Sequence, residues 1–327
     1  MSAPPLVWVV GAGGLLGGAV LRALLEDAWQ PRAGLSWGTT QLEQEFRDAV
    51  AAFGERMAAQ PGRPWAVAWC AGAGVVGTSA AALEAETKAF QLFLSVLASD
   101  PTLRVTPGSI ALASSAGGVH GGCFSSPITE ATAPEPISPY GHAKLAQERL
   151  LIEWAAGQAD VRVLAARFSN LYGPGQRLEK PQGLISHASR CLIFGAPIHI
   201  YVSLDTIRDY LFGEDAGQRL VNGLGRLRAE GQRQPTVTKL YTAEREVSIA
   251  GLLGVFRHIT RRRLRVIAGL HPVAALQPRR LQFRSQVWGA DPHRHVELTE
   301  GISRVYRHQL SLFRAGTLPA PPSLARR

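Results

Sequence analysis

Leu6-Val-Trp-Val-Val10 is an unbroken apolar run that stops at Gly11, and Val20, Leu21, Leu24 and Leu25 then recur at helical spacing. The pattern predicts a strand at 6–10, a glycine turn, and a helix over 14–28. The same alternation continues downstream. Strands are expected near 33–37 and at 65–70, 108–114 and 161–168, and helices over 39–60, 80–98 and 139–157. Strands that alternate with helices predict an α/β fold with a doubly wound parallel sheet. Pro127, Pro134, Pro136 and Pro139 make 125–139 an irregular loop. Beyond residue 171 the alternation decays into helices, short strands and proline turns, as expected of a smaller C-terminal α/β lobe over 172–318. The proline-rich end, 319–327, is expected to be disordered. No internal repeat or low-complexity block interrupts this order.

Composition fits a folded chain. With 327 residues, 46% of them hydrophobic, there is ample material for a core. No apolar stretch of membrane-spanning length escapes charges or glycine clusters, so a soluble protein is expected. The start, with no basic residue before Arg22 and five glycines inside the apolar segment, does not read as a signal peptide. Cys70, Cys123 and Cys191 have no metal-ligand spacing and leave an odd count for disulfides, which points to a reducing, cytoplasmic setting and to no metal. The net charge of +10 is uneven: residues 1–200 carry 14 basic and 15 acidic side chains, and residues 201–327 carry 21 and 10. The C-terminal half therefore attracts anions. Arg261-Arg-Arg-Leu-Arg265 is the obvious cluster, but no DNA- or RNA-binding signature accompanies it, so it reads as a solvated face, with neither nucleic acid nor membrane as partner.

Two constellations carry chemistry. Gly11, Gly14 and Gly17 lie between the first strand and the first helix. Glycines there let the backbone approach a pyrophosphate, and the helix start offers it unpaired N–H groups. Tyr140 and Lys144 stand at i and i+4 at the head of a helix and so share a face. An ammonium beside a phenol lowers the phenol pKa, giving a group that exchanges a hydroxyl proton near neutral pH, as alcohol/ketone redox chemistry requires.

Taken with the strand end Ile110-Ala-Leu-Ala-Ser-Ser115, these motifs resemble the extended short-chain dehydrogenase/reductase family, in its nucleotide-sugar epimerase/dehydratase branch. Arg167-Phe-Ser-Asn-Leu-Tyr-Gly-Pro-Gly-Gln176, Arg208-Asp-Tyr-Leu-Phe-Gly-Glu-Asp215 and Val296-Glu-Leu-Thr-Glu-Gly-Ile302 extend the resemblance over nearly the whole chain. It implies a Rossmann-type dinucleotide-binding domain over 1–171, with 205–245 packing back onto it, and a substrate lobe over 172–318. NAD or NADP would be held by Gly11, Gly14, Gly17, Ala71, Tyr140 and Lys144. Ser115, 25 positions before Tyr140, would hold the reacting oxygen together with Tyr140; Ser114 is the fallback, and alignment on Val119-His-Gly121 would put Ala116 in that slot. Asn170 and Arg208 would grip the diphosphate of a nucleoside-diphosphate sugar, with Arg279 or Arg280 as a second clamp. The implied activity is 4-epimerisation by transient oxidation, in an assembly that includes a homodimer among its options. A sugar reductase of the same family uses the same residues, and a degenerate dinucleotide-binding regulator is the rival from another class.

Two features depart from the pattern. Arg32-Ala-Gly-Leu-Ser-Trp37 has no acid to bind a ribose 2′-hydroxyl, so NAD selectivity is not expected. The stretch before Trp65 is also short for two strand-helix units and shows one long helix. The second or third strand is therefore expected to be missing, and part of the adenosine pocket with it.

Overall fold

The computed structural model describes residues 3–179, 182–229, 235–269, 274, 276–289 and 295–322. In chain order its first half runs β1 (Leu6–Val10), α1 (Leu15–Leu24), β2 (Ala28–Trp29), α2 (Leu42–Ala58), β3 (Trp65–Trp69), α3 (Ala80–Ser99), α4 (Pro101–Val105), β4 (Gly108–Ser115), α5 (Ala116–Val119), α6 (Pro139–Ala156) and β5 (Val161–Phe168). There follow β6 (Asn170–Tyr172), α7 (Leu184–Phe194), β7 (Ile198–Ile200), β8 (Ile207–Phe212), α8 (Gly213–Ala229), β9 (Thr236–Tyr241), β10 (Glu246–Ser248), α9 (Ile249–Thr260), β11 (Val266–Ala268) and α10 (Leu298–Arg314).

A six-stranded sheet in the order β2-β1-β3-β4-β5-β9, parallel throughout, forms the centre. Its helices lie on both faces, a Rossmann-like α/β fold. Side chains alternate along each strand, which explains the two cores. Trp8, Val10, Val67 and Trp69 point to one face and meet Phe46 and Phe53 of α2, Phe90 and Phe93 of α3, and Leu151 of α6. Val7, Val9, Ala66 and Ala68 point to the other and meet Val20 of α1 with Leu220 and Leu224 of α8. Small residues on that second face let the α1–α8 pair sit close. A separate core, built on Tyr172, Ile185, Leu192, Phe212, Leu252, Phe256, Ile302 and Val305, holds together the C-terminal elements, with the short sheets β10-β8-β6 and β11-β7.

The start of the sheet departs from the sequence expectation. No strand occupies 33–37; β2 is the two-residue Ala28–Trp29. Helix α1 stops at Leu24 because Leu25 turns out of the helix at φ 51°, with no glycine or proline to announce it. One helix, α2, then leads straight to β3 on the far side of β1, so it is the outer strand of this half that is lost and β2 becomes the sheet edge. At the other end of the chain, 319–322 are placed, with Pro321 buried against the central cavity; the remainder of the tail, 323–327, lies outside the described residues.

Candidate functional site

At the carboxyl ends of β1, β3, β4 and β5 a cavity of roughly 1500 Å³ opens between the sheet and the C-terminal elements. Gly11, Gly14, Ala71, Ser115, Tyr140, Lys144, Asn170 and Arg208 all line it. Crevices at such strand ends are the ligand-binding place of open α/β sheets.

The glycines divide the labour. Gly11 has φ 89°, and a Cβ there would stand 2.5 Å from the backbone nitrogen of Ala71. A Cβ on Gly17 would stand 2.2 Å from the carbonyl oxygen of Gly11. These two let β1, α1 and the end of β3 close up, and a side chain would break that packing. Gly17 does not line the cavity. Gly14 is different: as N-cap of α1 it has no side chain to occupy the first-turn N–H groups, and its nearest neighbour at the Cβ position is Gly11 O at 3.4 Å. The open N-terminus of α1 thus faces the cavity, a fit for a pyrophosphate. Arg177 reaches over the same turn from the loop after β6, its Nη2 3.8 Å from where a Cβ of Gly13 would be.

At the adenosine end the cavity wall is Gln30, Ala33, Leu35 and Trp37, the last seated edge-on against Trp69 at 5.9 Å. Gln30, directly after β2, donates from Nε2 to Val9 O at 3.1 Å. Neither an acid nor a cation projects here: Arg32 is exposed and outside the cavity wall, and Glu45 is spent accepting from Ser36 N at 2.6 Å. Gly14→Val should therefore weaken dinucleotide binding by about tenfold without unfolding the protein, and the native protein should discriminate little between NAD(H) and NADP(H). Fluorescence titration with both cofactors checks this. Unchanged affinity in the variant would leave the turn a packing role, and strong NAD selectivity would mean that another group reads the ribose.

The chemistry end is built by α6. Ser138 caps the helix, its Oγ accepting from Gly141 N at 3.1 Å, and Pro139 opens the first turn, so the sequence itself fixes where Tyr140 emerges. Tyr140 is half-buried and hydrogen-bonds the Ser115 hydroxyl, which also accepts from Gly118 N at 3.0 Å. Ser114 points the other way, donating to Glu148 Oε1 at 2.5 Å, and Ala116 is wholly buried. Of the candidate positions, Ser115 is the one beside Tyr140.

Lys144 is buried, donating to Ala113 O at 3.3 Å and Gln147 Oε1 at 3.1 Å. Burial pulls its ammonium below the ordinary value, opposed by the charges of Glu86 and Glu148. The phenol does not behave as the i, i+4 pattern implied. Burial pushes Tyr140 above its ordinary value, the Ser115 hydrogen bond pulls it back, and Glu86 adds to the rise. A desolvated phenolate facing a carboxylate is disfavoured, whatever ammonium lies along the helix.

A buried network locks these elements in register. Arg167 on β5 forks onto Glu148 of α6, with Nη2 to Oε2 at 2.7 Å, and donates from Nη1 to His120 Nε2 at 3.0 Å. His120 is fully buried, and desolvation beside Arg167 pulls it down to about 4, so it is a neutral acceptor at neutral pH. In the sequence His120 stands out only as the centre of Val119-His-Gly121, and nothing local marks Glu148, which sits one helical turn after Lys144.

On the substrate side, Asn170 on β6 donates from Nδ2 to Asp209 O at 2.9 Å at the cavity wall. Arg208 on β8 is 8% exposed, donates to Ile207 O at 2.8 Å and has no ion-pair partner among the described residues. Burial pulls its guanidinium below the ordinary value. The expected second clamp is not in the cavity. Arg280 is exposed and pairs with Glu246 at 3.0 Å, while Arg279 pairs with Asp205. The segment carrying them adds to the edge of β8 by backbone, which turns both side chains outward. A different arginine lines the cavity: Arg190 on α7 is 3% exposed, donates to His187 Nδ1 at 3.0 Å, and keeps a buried Nε without a partner among the described residues. Two buried arginines without a direct ion pair among the described residues, Arg190 feeling only the charge of Glu179 in the same wall, are costly unless an anion joins them.

Comparisons with known proteins bear on the family and the fold. The family model described as "NAD dependent epimerase/dehydratase family" matches residues 7–232. A dTDP-L-rhamnose 4-epimerase from Burkholderia thailandensis is 35% identical over 97 residues, 29% of this chain and 26% of that protein. A UDP-glucose 4-epimerase from Mycolicibacterium smegmatis is 30% identical over 143 residues, 43% of this chain and 45% of that protein. The matched stretches thus span less than half the length of these curated relatives. Among solved structures, MoeE5 in complex with UDP-glucose and NAD superposes with a TM-score of 0.74 over 94% of this chain and 99% of that one, at 23% identity, a likeness of fold. Among the described residues no helix is long and apolar enough to cross a membrane.

Proposed function

Since the chain belongs to the NAD-dependent epimerase/dehydratase family, we propose that it is an NAD(P)-dependent enzyme that epimerises C4 of a nucleoside-diphosphate sugar by transient oxidation. The observation that carries this reading is the convergence of Ser115, Tyr140 and Lys144 on one wall of a cavity whose other wall holds Arg208 and Arg190. The relatives named above act on dTDP- and UDP-sugars, in keeping with an anion-binding wall. The nicotinamide supplies hydride acceptance and return at the sugar carbon. Tyr140 Oη takes the proton of the C4 hydroxyl and later gives it back, and Ser115 Oγ holds the same oxygen during both transfers. Lys144, on the same helix face, keeps a positive charge beside the cofactor pocket. Arg208, Arg190 and Asn170 hold the diphosphate, leaving the sugar free to present either face.

A 4,6-dehydratase is disfavoured. Those enzymes resemble this chain but carry an Asp-Glu pair after the catalytic hydroxyl, and here Ala116-Gly-Gly118 follows Ser115, in a helix whose Gly118 packs 3.1 Å from the Tyr140 ring at the Cβ position. A 4-keto-sugar reductase is the second reading, favoured by a phenol held above its ordinary pKa and so protonated at rest. Incubation with UDP- and dTDP-hexoses and catalytic NAD, followed by NMR of the sugar, separates the two. The C4 epimer should form without net nicotinamide reduction. Stoichiometric consumption of NAD(P)H with a keto-sugar would establish the reductase instead, and neither conversion nor nucleotide-sugar binding would sink both.

A further inference from the structure

Glu86 of α3 lies in the cavity wall, and the mechanism above does not use it. Its Oε1 accepts from Ala73 N at 2.7 Å and so ties α3 to the loop that follows β3, the loop carrying Ala71. Its Oε2 faces the reacting groups. The point where a Cβ of Gly72 would stand is 3.4 Å from Glu86 Oε2 and 3.6 Å from Lys144 Nζ. The corresponding point at Gly74 is 3.2 Å from Oε2 and 3.5 Å from Tyr140 Cδ2. The carboxylate is thus within about 7 Å of both the ammonium and the phenol ring, without a direct ion pair to either, a range over which charges still act in a partly dry cleft.

The other groups around the pair do not cancel it. Directly after β3, the Cys70 thiol is pushed up to about 12 by burial and stays neutral. From β4, Ser115 is uncharged. From α6, Glu148 is held in the Arg167 fork. Among the described residues Glu86 is therefore an acidic charge that acts on both Tyr140 and Lys144 across the cleft, reaching them from a different helix, whereas Glu148 acts on Lys144.

We propose that Glu86 is a positioning residue that sets the protonation of this site. Its carboxylate holds the β3–α3 loop through Ala73 and fixes a negative charge beside Tyr140 and Lys144. The lysine is thereby kept charged and the phenol is favoured over the phenolate, so the return of the proton to the keto-sugar oxygen is the half of the cycle that the charge assists. This rests on the reading that Tyr140 is the proton-transfer group, and it deepens that reading by assigning which half-reaction Glu86 favours, the opening oxidation being left to the phenolate fraction that grows as pH rises.

The test needs neither substrate nor turnover. Protein labelled with fluorotyrosine is titrated by fluorine NMR, and the Tyr140 resonance is the one that Tyr140→Phe removes. Glu86→Gln keeps an oxygen to accept from Ala73 N–H and deletes the charge. Its Tyr140 midpoint should fall by about half to one pH unit, equivalent to a three- to tenfold change in proton affinity, and Glu86→Asp should restore most of the shift. A purely structural role would instead lower dinucleotide affinity or melting temperature and leave the midpoint in place. An unmoved or raised midpoint in Glu86→Gln overturns the proposal. Failure here leaves the epimerase reading standing, because nucleotide-sugar conversion is measured separately; failure of that conversion leaves the titration fully readable.

Discussion

Tyr140→Phe is expected to lower turnover by about 100-fold or more while leaving dinucleotide affinity within about twofold of the native protein. The substitution deletes one oxygen. That oxygen hydrogen-bonds Ser115, and the ring keeps its place beside Gly118 and Gly74, whose missing side chains leave room for it, so neither the capped start of α6 nor the glycine turn is disturbed. General acid–base catalysis contributes about this factor when a positioned side chain is removed. The pH dependence has a defined sign. Because burial and Glu86 hold the phenol above its ordinary value, oxidation of a sugar hydroxyl, which needs the phenolate, should accelerate as pH rises toward the phenol midpoint, whereas reduction of the keto-sugar should be level below it and fall beyond it. Steady-state rates in both directions across pH, with and without Tyr140, check this. A Tyr140→Phe protein of near-native turnover would remove the proposed mechanism.

The parts that sequence revealed are those with local signatures. Strand β1 is an apolar run cut by a glycine, β5 is fully buried along its length, and α6 is announced by Ser138-Pro139, so their bounds are legible within a residue. Strand β2 was misplaced for a reason equally local in origin: Leu25 leaves the helix at positive φ, an event that a leucine does not signal, and the apolar rhythm runs on past the true end of α1. What the sequence could not show were meetings between distant elements. Glu86 and Tyr140 lie on separate helices, and Arg190 sits inside Leu184-Ile-Ser-His-Ala-Ser-Arg-Cys-Leu-Ile-Phe194, where an apolar run hides which face opens to the cavity. On the sequence Arg190 was not a candidate clamp, and Arg280 was. Only the addition of its segment to the edge of β8 turns it toward Glu246 and away from the cavity.

That distinction bears on how the site holds an anion. A guanidinium already satisfied by a carboxylate at the surface contributes little to a ligand, since the pair is exposed and screened. Arg208 and Arg190 have lost water without gaining a direct ion pair among the described residues, although the charge of Glu179 acts on Arg190, and burial weakens the hold of each on its proton, so the cavity stores an electrostatic cost that a diphosphate would relieve on binding. The uneven charge of the chain is then only partly about the ligand. Arg261, Arg262 and Arg263, the densest run of that excess, are exposed and lie outside the cavity wall.

Arg208→Ala is accordingly expected to raise the dissociation constant of a nucleoside diphosphate such as UDP or dTDP by about 10- to 100-fold, on the order of the 1.5–3 kcal/mol of a charge-assisted hydrogen bond. Replacing Arg261, Arg262 and Arg263 together by alanine should change it by less than about twofold, because exposed charges outside the cavity wall are screened by solvent and salt. Among the described residues Arg208 donates to Ile207 O and, at 3.5 Å, to Gln277 Oε1, so its removal leaves one neighbouring carbonyl to water and should spare the β6–β8 pairing that carries Asn170. Isothermal titration of both variants, with melting temperatures as a check on folding, decides the matter. The salt dependence adds a second criterion: native binding should weaken only modestly between low and physiological ionic strength if a buried pair of arginines carries it, and steeply if a surface cluster does. Loss of nucleotide binding in the triple variant with Arg208→Ala unaffected would move the anion site out of the cavity and onto the basic surface, and the assignment of Asn170, Arg190 and Arg208 to a substrate diphosphate would fall with it.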